Sequence, residues 1–246
     1  MDKVAVCSKH QDKLPEMKSL LESKGFKVVA SSPDFVVSFG GDGTLLYSER
    51  KFPGVPKLVI RDSKICKKCV SGRSSTVLEL VRNDDFILEE WLKVDACFNK
   101  EHFLAVNDVI IRNKFPMQAI RLEVVVGEEQ LVEEMIGDGL VVATPFGSTA
   151  YFNSVTRTSF NKGIGVGFNN SVSRHAPFFL SESDVLKVRI IRGEAHLAFD
   201  NSPKVVSLKD GDLVSIKKSK DVMKIINFKN LDLWVLNKRF KSKLEE

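Results

Sequence analysis

The sequence predicts two parts: a doubly wound α/β domain with a mostly parallel sheet, then an all-β domain. Three observations carry this. Up to about residue 92, short apolar runs alternate with a helical pattern and glycine or proline turns. Beyond it, short alternating strands follow one another with turn residues between. Glycine-rich segments also follow directly on apolar strands.

Val4 to Cys7 reads as a buried strand. Leu14, Met17, Leu20 and Leu21 recur at helical spacing up to Lys24, and Gly25 stops that helix. Phe26 to Ala30 and Phe35 to Phe39 are the next strands, and Lys57 to Ile60 follows the turn Pro53-Gly54-Val55-Pro56. In a parallel sheet of this kind, ligands sit beyond the carboxyl ends of the strands. Further strands are expected at Leu92–Phe98, Leu104–Ile111, Ile120–Val126, Leu131–Ile136, Leu140–Ala143, Leu186–Ile191, His196–Phe199, Val205–Leu208 and Leu213–Lys217. Gly127-Glu128-Glu129 and Lys209-Asp210-Gly211 read as turns between them. The domain boundaries expected are 1–92 for the first part and 93–225 for the second.

The chain has 246 residues, 43% hydrophobic and 28% charged, which is ordinary for a globular protein of one large or two modest domains. No apolar run reaches the ~18 residues of a membrane span. Met1-Asp2-Lys3-Val4 lacks the apolar region of a signal peptide. Four cysteines without a dense framework fit a reducing compartment, so a cytoplasmic location is expected. The net charge of +5 favours capture of a polyanionic substrate. No RNA-binding signature is present, and the lysines at 217, 218 and 220 read as solvated faces, so neither nucleic acid nor membrane is expected as a partner.

Gly40-Gly41-Asp42-Gly43-Thr44 follows the strand Phe35–Phe39. Glycines let a backbone turn sharply and approach a ligand. A phosphate loop offers N–H groups and a lysine, whereas Asp42 would repel phosphate. Asp42 therefore faces a hydroxyl as acceptor or general base, with Gly41, Gly43 and Thr44 handling an adjacent anion; the plainer alternative is an acid capping the next helix. Asn107 and Asp108 lie inside an apolar strand and need polar partners, which a ligand such as adenosine would supply and a strand-end turn or bulge would also explain. Asp138-Gly139 opens a third segment, in which Pro145 and Gly147 break a short strand and Ser148-Thr149 can cap a helix starting near Ala150. Cys66 and Cys69 suggest zinc, but a tetrahedral site wants four ligands and no histidine spacing completes it, so no metal site is expected.

Together, Gly40-Gly41-Asp42-Gly43-Thr44, Asn107-Asp108 and Asp138-Gly139…Thr144-Pro145-Phe146-Gly147-Ser148-Thr149-Ala150-Tyr151 resemble the NAD kinase family in order and spacing. Asp34–Val37, Ala198–Asp200 with Val205–Asp212, and the tail Leu233–Phe240 extend the likeness over nearly the whole chain. The resemblance implies a phosphotransferase that makes NADP from NAD with ATP or polyphosphate, with Mg²⁺ or another divalent cation carried on the nucleotide. It implies Asp42 as catalytic base. It implies Asn107, Asp108, Asp138, Thr149, Ala150, Tyr151, Ser154 and Asp200 on the NAD side, a tail 226–246 that packs back on the first domain, and a homodimer or homotetramer.

Four departures stand against the family pattern. Arg61-Asp62-Ser63-Lys64-Ile65-Cys66 replaces a glycine-rich run, so Arg61 and Lys64 become candidate donor-phosphate ligands. Phe146 replaces Thr or Ser, Val155–Ser159 replaces a small-residue stretch, and Asn201 replaces the glycine after the late aspartate. These departures leave two rival functions open, a weak NAD(H)- or NADP-binding sensor and a lipid or sphingoid kinase.

Overall fold

The structure is a computed structural model; it describes residues 1–62 and 74–228. It divides into two compact units: Met1–Glu90 with the described part of Met223–Glu246, and Trp91–Val222. Lys64, Cys66, Cys69 and the tail segment Leu233–Phe240 lie outside the described residues.

The first unit runs β1 (Lys3–Ser8), α1 (Leu14–Ser23), β2 (Lys27–Val28), β3 (Phe35–Gly40), α2 (Asp42–Lys51), β4 (Lys57–Arg61) and α3 (Ser74–Arg82). Its strands lie in the order β2-β1-β3-β4, all parallel. This is the doubly wound α/β arrangement expected. The apolar pattern of α1 buries Met17 and Leu21, which join Val4, Phe35, Val37, Leu58 and the α3 residues Val77, Leu78 and Val81 in one core. The strand expected over Phe26–Ala30 shortens to β2, because Phe26 turns into this core and stacks edge-on against Phe35 at 5.3 Å. Where a loop is expected around Asp42, the helix α2 already begins at that residue.

β5 (Ile87–Phe98) carries the chain into the second unit. There follow β6 (Glu101–Ala105), β7 (Asp108–Asn113), β8 (Ile120–Val126), β9 (Glu129–Gly137), β10 (Gly139–Ala143), the short helix α4 (Tyr151–Thr156), β11 (Ile164–Asn169), β12 (Phe178–Leu180), β13 (Val185–Arg192), β14 (Ala195–Phe199), β15 (Val206–Leu208) and β16 (Leu213–Asn227). One sheet has the antiparallel order β12-β11-β10-β7-β14-β15. The others, β9-β8-β13-β16 and the β5–β6 hairpin, are antiparallel as well. Inward residues of both sets, among them Ile111, Leu122, Met135, Leu140, Val166 and Val188, form one core cluster.

The single strand expected over Leu104–Ile111 is two strands, broken at Val106-Asn107. β16 continues to Asn227, well past Lys217, because Ser219, Met223 and Ile225 keep one face buried through the lysine-rich stretch, with Ile226 buried on the other face. Its far end pairs in parallel with β4, Ile225 opposite Lys57. β11 escapes the sequence reading because two of its six residues, Gly165 and Gly167, are glycines; they pass under Phe160, Phe152 and Thr156, where an added Cβ would come within 2.4 Å of a side chain.

Candidate active site

In the second unit, three chain turns meet at one end of β7. Asp108, the first residue of β7, lies opposite Ala143, the last of β10; Val109 lies opposite Phe199, the last of β14. Antiparallel pairing therefore brings the turn before β7 together with the turns after β10 and β14. Asp200 follows β14 with φ of 46°, a left-handed conformation that Asp tolerates better than most residues. Its carboxylate accepts the backbone N–H groups of Val106 at 2.9 Å, Asn107 at 2.7 Å and Asp108 at 3.3 Å. Its own N–H donates to the Asp108 carbonyl at 2.9 Å.

From the other side, the Thr144 N–H donates to the Asn107 carbonyl at 2.9 Å and the Thr144 hydroxyl to that of Val106. Gly147 lies flat against the same loop: a Cβ there would stand 2.1 Å from the Asn107 carbonyl oxygen. The loop is thus held at every backbone position, while its side chains are left over. The Asn107 amide and the Asp108 carboxylate have no hydrogen-bond partner among the described residues, and Asp108 is only 5% exposed. Burial, and then the nearby Asp200 charge, push the Asp108 carboxyl up to about 7. Burial raises Asp200 too, opposed by its three N–H donors and by the charge of Lys93. A buried, unpaired acceptor beside a free amide is a recognition site for a ligand bearing hydroxyl and amide groups.

A second cluster lies at the opposite end of β10. Asp138 accepts from the Asn113 side chain at 3.4 Å and from the Asn170 side chain at 3.3 Å, and its N–H donates to the Asn169 carbonyl at 3.0 Å. The Asn169 side chain reaches the Tyr151 hydroxyl at 3.2 Å. Five residues of β10 separate this group from the Asn107 loop, ~17 Å at the usual strand rise. The structure therefore brings Asp200 to Asn107 and Asp108, and links Asp138 to the Tyr151 hydroxyl only through Asn169, as two groups.

In the first unit, Asp42 opens α2 at the carboxyl end of β3, with Gly41 as the residue before the helix. The helix dipole favours an acid there. Thr44 is 3% exposed and turned inward. Arg61, the last residue of β4, is the cross-strand neighbour of Gly40 and exposed. The neighbouring carboxylate of Asp62 is taken by Lys13 at 2.6 Å.

Residues 106–228 match the ATP-NAD kinase C-terminal domain family, half of the chain and all of the segment that holds the first cluster. The chain belongs to the NAD kinase family. It is 28% identical over 230 residues to the NAD kinase of Sulfurisphaera tokodaii, covering 87% of this chain and 89% of that protein. To the NAD kinase of Thermomicrobium roseum it is 25% identical over 219 residues, covering 84% and 75%. The fold matches an Archaeoglobus fulgidus NAD kinase in complex with ATP, with a TM-score of 0.79 at 20% identity over 93% of this chain and 95% of that one. It also matches a yeast NADH kinase complexed with NADH, with a TM-score of 0.81 at 17% identity over 96% and 85%.

Within this NAD kinase fold, two sequence readings change. Asp200 faces the backbone of the Asn107 loop, so it positions the residues beside it. Ser148-Thr149 forms a 3-10 turn without capping the helix; Ala150 precedes α4, and the Ser148 hydroxyl donates back to the Pro145 carbonyl at 2.9 Å. The departure at Phe146 has a packing reason: the ring is buried and meets Trp91 edge-on at 5.0 Å. Thr149 and Ala150 are exposed, Tyr151 is half-buried against Val141, Ala143 and Phe152, and the Ser154 hydroxyl donates to the Tyr151 carbonyl at 2.7 Å. Asn113, Asn169 and Asn170 are absent from the sequence reading, and Thr144 stands in it only as part of the family motif, with no role. A threonine ending an apolar strand and asparagines at strand ends are the signals that mark them.

Proposed function

We infer that this protein phosphorylates the 2′-hydroxyl of the adenosine ribose of NAD, giving NADP, with ATP or another phosphoryl donor. The observation that carries this reading is the Asn107-Asp108 loop. Its backbone is fully engaged, and its side chains present an amide and a buried acceptor.

Asn107 and Asp108 hold NAD through amide and ribose groups. Thr149, Ala150, Tyr151 and Ser154 border the adenine, Tyr151 offering a flat ring, and Asp138 binds NAD through a polar group. Asp42 takes the proton of the 2′-hydroxyl as its oxygen attacks the terminal phosphorus. The new O–P bond forms, the bond to the donor's bridging oxygen breaks, and that oxygen leaves with the electron pair. Gly41 and Gly43 lie at the anion-facing start of α2, with Thr44 turned inward behind them. Arg61 and Lys64 bind donor phosphates through side-chain charge, which is less demanding of donor shape than a glycine loop. A divalent cation such as Mg²⁺ neutralises charge on the transferring group. Among the described residues no group of three or more His, Cys, Asp or Glu could hold a metal. Among those residues no helix is long and apolar enough to cross a membrane.

The test is NADP formation from NAD with ATP, other nucleoside triphosphates and polyphosphate side by side. Turnover with at least two donors is expected. Tight NAD binding without turnover on any donor would replace the kinase by an NAD-binding sensor.

A further inference from the structure

We propose that Cys97 is a nucleophilic thiol, activated by His102 and Asp95, that exchanges with small disulfides and forms a reversible thiolation site. The β5–β6 hairpin sets Cys97 directly opposite His102, with Asp95 two residues before Cys97 on the same strand face. The Cys97 Sγ lies 3.9 Å from His102 Nε2, and His102 Nδ1 lies 2.9 and 3.0 Å from the two Asp95 carboxylate oxygens. Asp95 is buried, so it fixes the ring: Nδ1–H donates to the carboxylate, and the Nε2 lone pair is left to face the thiol. This is the division of labour of a nucleophile, a base and an orienting acid.

The three groups lie on the face of the hairpin turned away from the core, which Val94, Ala96, Phe98, Phe103 and Ala105 enter from the other side. Cys97 is half-buried and the His102 side chain is 57% exposed, so a small reagent reaches the pair. Cys7 is the contrast: it is buried, and burial pushes its thiol up, away from reactivity.

In the exchange, the Cys97 proton passes to His102 Nε2 and the thiolate attacks one sulfur of a low-molecular-weight disulfide. The reagent's S–S bond breaks as the Cys97 mixed disulfide forms. The departing thiolate takes the proton back from His102. No other oxidant or reductant enters.

The experiment treats the full-length protein with oxidised glutathione under native conditions and follows each cysteine by peptide mass mapping. Cys97 should be modified, with Cys66 and Cys69 as internal references. H102Q, at an exposed position, should slow modification at Cys97 at least ~10-fold, a modest share of what a lost base costs, and leave the rates at Cys66 and Cys69 unchanged. D95N, with its fold checked by circular dichroism, should slow the same site. An unmodified Cys97 in the wild type, or a smaller slowing in H102Q, overturns the proposal.

Discussion

At the scale of single residues, the proposed reaction turns on two aspartates with different surroundings. Asp42 opens a helix at a strand end, where the helix dipole favours a carboxylate. Asp42→Asn should leave the fold and NAD affinity near wild type and lower turnover by about two to four orders of magnitude, the usual span for a lost general base. Single-turnover kinetics beside an NAD titration separate the two, and near-normal turnover would remove Asp42 from the mechanism. Asp108 is raised from an ordinary 3.8 to about 7, by burial first and Asp200 second. Between those values the folded chain holds a proton that the unfolded chain has lost, so this carboxyl's contribution to stability falls as pH rises from about 4 to about 7 and levels off above. Asp108→Asn removes that penalty. The variant should melt a few degrees above wild type at pH 8, with the gain shrinking toward pH 5, while its NAD affinity drops. Equal shifts at both pH values would show that the Asp108 proton is not coupled to folding.

The elements explain how the loop that presents Asp108 is held. β7, β10 and β14 deliver three turns to one place, and the Thr144–Gly147 turn seals the Asn107 loop from the side opposite Asp200. Gly147→Ala would force a methyl to within 2.1 Å of the Asn107 carbonyl, so the two turns must part. The Michaelis constant for NAD should rise ~10-fold or more, about 1.4 kcal/mol, with that for the donor unchanged; an unaltered NAD constant would show that the loop tolerates the shift. The sequence displays Gly147 as a strand breaker but not as a packing partner of Asn107, because that contact spans the chain between two strands. Asp200 entered the sequence reading only through the family resemblance, and its partners, the three N–H groups of a turn far away in the chain, were not legible. The parallel first sheet was legible, since apolar runs and glycine turns are local signals; Asp42 was placed after the right strand but in a loop rather than at a helix start, and Asn107-Asp108 inside a strand that breaks there. β11 was not legible, because its glycines answer to Phe160, Phe152 and Thr156 rather than to strand propensity. The long β16 was cut short because its lysines masked an alternation that tertiary burial completes.

Charge and sheet edges act at the level of the whole molecule. The net charge of +5 suits a polyanionic donor, and Arg61 places one positive side chain beside the Gly40 strand end. Arg61→Glu should raise the donor's Michaelis constant at least ~10-fold and leave that of NAD nearly constant; unchanged donor kinetics would assign Arg61 to the surface. The edges point to association. The six-stranded sheet ends in β12 and β15, each of three residues, and the other set ends in β9. Short edge strands limit open-ended pairing, but they leave apolar side chains to be covered. Phe179 on β12 and Val205 just before β15 are each 51% exposed, and Leu131 on β9 is 41% exposed. Single exposed apolar residues are ordinary; their recurrence at the sheet edges is what favours a partner surface. A second copy of the chain supplies one with closed symmetry, whereas an unrelated partner would have to match each edge separately. The protein should therefore sediment at two or four times the 27.5 kDa of one chain at micromolar concentration. Charged replacements at Phe179 and Leu131, on the edge strands and away from the Asn107 loop, should shift it toward the monomer without loss of secondary structure. A wild-type protein that sediments as a 27.5 kDa species under those conditions would leave these edges bare in solution and rule out the dimer and the tetramer alike.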